Sequence, residues 1–170
     1  KNALSQITLG SHTGTHIDAP AHIDPQGRTT DTYPLEHMNG PCEVVDLSHI
    51  VGVISGRDLP PTTATRLLLK TTNSQADPTI FDPGFVALDD SAAAELVRRQ
   101  IQLIGLDALS IKKKGVRDNV HRLLLAAGIV ILEGLWLPTT RAGAYELLCL
   151  PLPVALDGAP VRAVLRDLVE

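Results

Sequence analysis

The chain has 170 residues, of which 44% are hydrophobic and 20% charged, enough apolar material for one domain with its own core. A net charge of -4 and a pI near 5.8 offer no basic surface to nucleic acid or an anionic membrane, and 3% aromatic residues leave no stacking platform for bases. No apolar run reaches the ~18 residues that a membrane span requires. No secretory signal pattern opens the chain, although it starts at Lys1 without an initiator methionine and so leaves room for a preceding segment. Cys42 and Cys149 lie in apolar, strand-like runs and read as reduced core thiols, which points to the cytoplasm.

In chain order, the first informative stretch is Ser11-His12-Thr13-Gly14-Thr15-His16-Ile17-Asp18-Ala19-Pro20-Ala21-His22, which carries three of the six histidines. Gly14, two threonines and Pro20 argue against a helix, so the stretch reads as an extended or looped strand. His12, His16, Asp18 and His22 share one parity and would face one side of such a strand. His16 and Asp18 would lie about 7 Å apart along it, close enough for both to reach one ion. His12 would lie about 13 Å from His16 on a straight chain, so the backbone must bend, and Gly14 is the residue suited to bending. Imidazoles with a carboxylate and no thiolate suit Zn²⁺, Mn²⁺ or Fe²⁺ and disfavour a structural zinc finger.

A loop follows through Asp24-Pro25-Gln26-Gly27-Arg28 to Asn39-Gly40-Pro41. Residues 42–47 and 66–71 read as strands, the second continuously apolar and so buried. Residues 56–63 and 73–83 read as irregular. An Asp or Ser cap, an alanine run and closing arginines signal a helix over 92–99. Residues 101–106 and 129–133 read as buried strands on either side of a second helix, 119–127, capped by Asp118 and closed by Gly128. Lys112-Lys113-Lys114 reads as a solvated loop. Two more strands, 145–152 and 161–165, flank a turn at Asp157-Gly158. The pattern is that of an α/β domain with a mixed sheet.

Two further residues stand out. His121 falls in the first turn of the second helix, and Glu133 lies within the apolar run Ile129-Val130-Ile131-Leu132-Glu133-Gly134-Leu135. A carboxylate in such a run needs a partner if it is buried. His37 and His49 read as surface or loop residues. Tyr33, Arg57 and Trp136 are candidates for a substrate pocket, with packing or surface placement the simpler reading. Ser110 and Asp107 fit no nucleophile elbow, so serine hydrolase chemistry has no support.

The stretch from His12 to His22 resembles the H-x-G-T-H-x-D-x-P-x-H signature of the cyclase family of metal-dependent hydrolases. The resemblance extends through the blocks around residues 66–71, 105–110, 120–124, 131–135, 150–153 and 158–163, nearly the whole chain. It implies a swivelling β/β/α fold and a dimer or tetramer. It also implies one or two Zn²⁺ or Mn²⁺ ions, with His12, His16 and Asp18 as ligands of the first. Asp18 would bridge to a second ion held by His121 and Glu133, and His22 would be the acid/base. The arylformamidase branch is the nearest, so the implied substrate is an aryl formamide such as N-formylkynurenine, cleaved by a metal-activated water. A cyclic amide, imide or lactone hydrolase of the isatin hydrolase type is the alternative, and a non-catalytic metal-binding member a further one. Family members carry some tens of residues before the motif, including a substrate-contacting aromatic in the formamidases, whereas eleven residues precede His12 here.

Overall fold

The computed structural model describes residues 2–77 and 79–168. Seven strands form one mixed sheet that closes into a barrel. Around the barrel they run β1 (His16–Asp18), β7 (Val130–Glu133), β6 (Leu103–Leu106), β4 (Arg66–Lys70), β2 (Gly40–Asp46), β8 (Gly143–Pro151) and β9 (Gly158–Asp167), and β9 pairs back onto β1. The segment β2-β4-β6-β7 is parallel, and the remaining pairings are antiparallel. A short parallel pair, β3 (Val53–Ile54) with β5 (Ala87–Leu88), three α-helices, α1 (Leu35–Met38), α2 (Asp90–Arg98) and α3 (Val120–Ala126), and four 3-10 turns complete the described elements.

Of the parallel strands, β4, β6 and β7 carry apolar runs because both of their faces are covered. Leu68, Leu103, Val130 and Leu132 point into the barrel and meet Ile17, Val44 and Leu147 there. Their neighbours Leu67, Leu69, Ile104, Leu106 and Ile131 point outward beneath α2 and α3, whose buried stripes include Ala92, Ala93, Leu96, Val120, Leu124 and Leu125. β3 and β5 join this outer core through Ile54, Ala87 and Leu88. They fall in segments to which the sequence assigns no element, and α1 falls in one that reads as a loop. None exceeds four residues, which is too short for any periodicity to show.

The expected acidic cap of α2 is confirmed, although the helix starts at Asp90 and not at Ala92: the Asp89 carboxylate accepts from the backbone N–H of Ser91 at 2.8 Å and of Ala92 at 3.0 Å. The expected cap of α3 is not. Asn119 occupies the N-cap position, and Asp118 instead faces the Lys112 ammonium at 3.0 Å. The Asp118 carboxylate has a cation within reach, and Asn119 is held by Asp90 through its backbone N–H at 2.7 Å, which ties the starts of α2 and α3 together. The other two lysines of that loop are not simply solvated, for Lys113 lies 4.8 Å from the Phe85 ring centre and Lys114 5.5 Å from that of Phe81.

Alternation also fixes where chemistry can occur. Ile17 and Leu132 face the barrel interior, so their neighbours His16, Asp18 and Glu133 face outward, on the side of α3. Glu133 ends β7, at the carboxyl end of the parallel strands, where open sheets hold their ligands. At the end of β6, Asp107 anchors the loop that follows β4. Its carboxylate accepts from Thr71 N, Thr71 Oγ1, Ser74 N, Ser74 Oγ and Asn73 Nδ2 at 2.7–3.3 Å, and only 5% of the residue is exposed. Asp107→Ala strands these buried donors and should cost about 3 kcal/mol, read as a lower urea midpoint with an unchanged slope.

Candidate metal centre

Four elements bring the candidate residues together. The β1–β7 register sets His16 opposite Glu133, which places their side chains on one face. Asp18, two residues on from His16, shares that face, and α3 presents His121 from its first turn. The extended reading holds only for residues 16–18. Gly14 takes a φ of 67°, a left-handed turn that folds His12 back until its ring centre lies 4.9 Å from that of His16. His22 arrives from the opposite side on a 3-10 turn, Pro20–His22, started by the fixed φ of Pro20. Its ring centre lies 4.4 Å from that of His12 and 5.5 Å from that of His121.

Asp18 is the hub. Its Oδ1 lies 2.9 Å from His12 Nδ1 and 3.4 Å from His16 Nε2, while Oδ2 lies 3.2 Å from His121 Nε2. Glu133 sits across from it, with Oε2 3.3 Å from His16 Nε2 and Oε1 3.3 Å from His121 Nε2. Oε1 also accepts the backbone N–H of Ile111 at 2.6 Å. Asp18 is 0% exposed, His16 1% and Glu133 3%, so three ionisable groups are shielded together from bulk solvent. Although these atoms are close, His16 Nε2 and both carboxylate oxygens of Asp18 have no hydrogen-bond partner among the described residues. Orphaned buried polar atoms are costly, and here they converge. A divalent cation satisfies all of them at once, and the donor set of imidazole and carboxylate suits one.

Surrounding groups aim the ligands. His16 Nδ1 lies 2.8 Å from the Gly14 carbonyl, which can only accept, so Nδ1 keeps its proton and Nε2, beside the carboxylates, is the nitrogen that would yield its own to an ion. The Tyr33 hydroxyl donates to the Asp18 carbonyl at 3.2 Å and braces the strand from behind. Burial pushes the Tyr33 phenol well up, with the Asp18 charge adding to it.

The charges are tightly coupled. Burial alone would push His16 down, but its contacts with Asp18, Glu133 and the Gly14 carbonyl outweigh it and carry the pKa up to about 10. Burial likewise opposes His121, and Asp18 and Glu133 carry it up to about 9. Burial works to raise Asp18, but His12, His121 and His16 hold it well below the usual carboxylate range. His12 is raised, first by Asp18 and against its own burial.

Beside the centre lies a cavity of about 970 Å³, with His22 and His121 in its lining and Phe81, Phe85, Leu109 and Trp136 among its apolar walls. Trp136, which sequence assigned to packing or surface, therefore faces the space next to the site. Tyr33 packs in the barrel core, and Arg57 is not in the lining. His49 is exposed, and His37, expected on the surface or in a loop, is half-buried within α1, where its carbonyl accepts from Arg66.

One residue escaped the sequence reading. Asp157 precedes β9, and its Oδ2 lies 2.9 Å from His12 Nε2 and 3.3 Å from His22 Nδ1. The His12 contact holds its carboxyl down to about 2 against partial burial, with His22 and Ser11 assisting. An Asp-Gly pair between two apolar runs signals a turn and nothing more, so no local signal distinguishes it.

A barrel whose outer face carries converging imidazoles and carboxylates beside an apolar cavity defines a metal-dependent hydrolase of the cyclase type. Residues 2–113 match the cyclase family, and the chain belongs to it. It is 38% identical to the kynurenine formamidase of Salinibacter ruber (strain DSM 13855 / M31), over 96% of this chain and 80% of that one. It is also 38% identical to the kynurenine formamidase of Geobacillus thermodenitrificans (strain NG80-2), over 97% and 80%. A solved structure described as a potential metal-dependent hydrolase with cyclase activity superposes with a TM-score of 0.90 at 36% identity, covering 97% of this chain and 83% of that one.

The raised histidines have two consequences. Protonated His16 and His121 stabilise the metal-free fold in full below about pH 6.5, and this contribution is lost as pH rises through about 9 to 10. Thermal melts of metal-free protein should therefore fall across that alkaline range. Metal must displace the same protons, so zinc added to weakly buffered metal-free protein should release protons, with affinity rising between pH 6 and 8. Uptake without proton release would contradict this charge arrangement.

Proposed function

We propose that the chain is an amidohydrolase that cleaves an aryl formamide, with N-formylkynurenine as the representative substrate. The observation that carries this is the buried Asp18 carboxylate, whose two oxygens face different histidines beside an apolar cavity. We assign His12, His16 and Asp18 to one cation and Asp18, His121 and Glu133 to a second, with Zn²⁺ or Mn²⁺ as the native ion. A divalent cation bound there supplies an ionised water near pH 7 and polarises the amide carbonyl. Asp18 and Glu133 fix the cradle, and Ile111 keeps Glu133 from swinging out. The ring of an aryl formamide fits the space beside Phe81 and Trp136.

His22 is the catalytic residue. It lines the cavity, and with Nδ1 donating to Asp157 its Nε2 is the nitrogen left to exchange a proton with the substrate. In the net reaction water adds oxygen to the formyl carbon and the C–N bond breaks. His22 passes a proton to the departing amine nitrogen, and formate and the aryl amine leave. The formamidase names of the relatives support this class. We place the enzyme in tryptophan catabolism in the cytoplasm, as a homodimer or homotetramer. The free, buried thiols of Cys42 and Cys149 fit a reducing compartment. The outward strip of Leu148, Leu150 and Val164 on β8 and β9 fits self-association.

His22→Ala should lower kcat about 10²- to 10⁴-fold while metal content stays at the wild-type level. Metal loss in that variant would make His22 a ligand instead. Wild-type protein, metal-free and reloaded, should be assayed against aryl formamides and cyclic amides together. Hydrolysis of the cyclic amides alone would replace the formamide assignment.

A further inference from the structure

Asp157 is tied to the centre at three points. Its backbone carbonyl accepts the N–H of Ala19 at 2.9 Å, one residue past Asp18. The next residue, Gly158, pairs with Asp18 across the β9–β1 register. Its side chain meets three groups of the signature stretch, with Oδ1 accepting the Ser11 hydroxyl at 3.0 Å and Oδ2 shared between His12 and His22. The ring of His12 lies so close to the backbone here that a Cβ on Gly158 would come within 2.6 Å of its Cε1. Glycine opens the slot into which the imidazole fits, and the aspartate before it holds the far nitrogen.

An ionised carboxylate can only accept. His12 must therefore present Nε2–H to Asp157, so that when the ring is neutral Nδ1 is its bare nitrogen, 2.9 Å from Asp18 Oδ1. His22 must present Nδ1–H to the same oxygen. One atom thus selects opposite tautomers in two neighbouring rings. An imidazole without such a partner divides between both tautomers and several ring rotations, of which one serves.

We propose that Asp157 is the positioning residue of this centre. A single carboxylate oxygen fixes the tautomer and orientation of His12 toward the ion and of His22 toward the substrate. The assignment rests on the reading of the centre given above, but its effect on the rings exists without substrate. Asp157 touches no reacting atom, and it couples ion capture to proton transfer because both depend on the same oxygen.

The experiment compares wild type, Asp157→Asn and Asp157→Ala. Asparagine keeps the shape and one accepting oxygen, while alanine keeps neither. In Asp157→Ala, zinc affinity measured against a chromophoric chelator should fall 10- to 100-fold. Its kcat on the best formamide should fall about 100-fold with KM within a few-fold of wild type. Asp157→Asn should recover a substantial part of both. Ring ¹⁵N spectra of metal-free, histidine-labelled wild type, at a pH where these two rings are neutral, should show one ring protonated at Nε2 and another at Nδ1, and Asp157→Ala should show averaged signals for those two alone. A folded Asp157→Ala protein with wild-type zinc affinity and an unchanged ring pattern would overturn the proposal. So would an asparagine variant no better than alanine, which would mark Asp157 as a packing residue. If no formamide is turned over by wild type, the affinity and ring spectra still decide the role of Asp157, so the two readings fail separately.

Discussion

The structure around the site depends on one buried carboxylate held between imidazoles. Asp18 is wholly shielded, and its two oxygens look in different directions, one toward His12 and His16 and the other toward His121. An isolated charge of this kind is not tolerated in an apolar interior. It persists because two distant parts of the chain are folded together around it: the turn before β1, and the neighbouring first turn of α3 and end of β7. The barrel supplies the precision, since β1 is pinned on one side by β7 and on the other by β9. A shift of one residue in either register would turn Asp18 into the barrel and Ile17 out of it.

The fold separates two tasks by alternation. Inward side chains are apolar and fill the lumen, with Leu68, Leu132 and Ile17 among them. Outward side chains serve either the helices or the site. Glu133 illustrates the division, for it follows three apolar residues in β7 and is the one that emerges where the strand ends. The network below the cavity follows the same logic. Asp107, one residue past β6, spends its whole carboxylate on the backbone and side chains of Thr71 and Ser74 and on the Asn73 amide. It shapes the rim without offering chemistry.

Much of this was legible in the sequence, and the losses have physical reasons. The long apolar runs marked β4, β6 and β7 because a strand buried on both faces needs no alternation to be seen. The bend at Gly14 followed from the reach of two imidazoles. The pairing of His16 with Asp18 survived because two residues of one strand keep their parity in any register. His12 and His22 reached the site by turns instead of by the extended chain that parity suggested, since turns erase periodicity. Asp118 looked like a cap, but the chain brings it to Lys112 within the same loop and leaves the cap position to Asn119, which no sequence pattern foretells. Asp157 was invisible for the same reason. Its partners lie 135 to 146 residues away in sequence.

The placement of the centre on the outer wall of the barrel has a consequence for how such a protein can diversify. The lumen can be repacked by compensating swaps of aliphatic side chains without disturbing an ion-binding cradle, because the two lie on opposite sides of one backbone. The aromatic walls beyond the cradle, Phe81, Phe85 and Trp136, belong to connections between elements, where insertions and exchanges are accepted freely. The reactive groups and the surface that chooses a guest molecule are thus free to change at different rates, and one scaffold can keep a single way of splitting a bond while trading the compounds it admits.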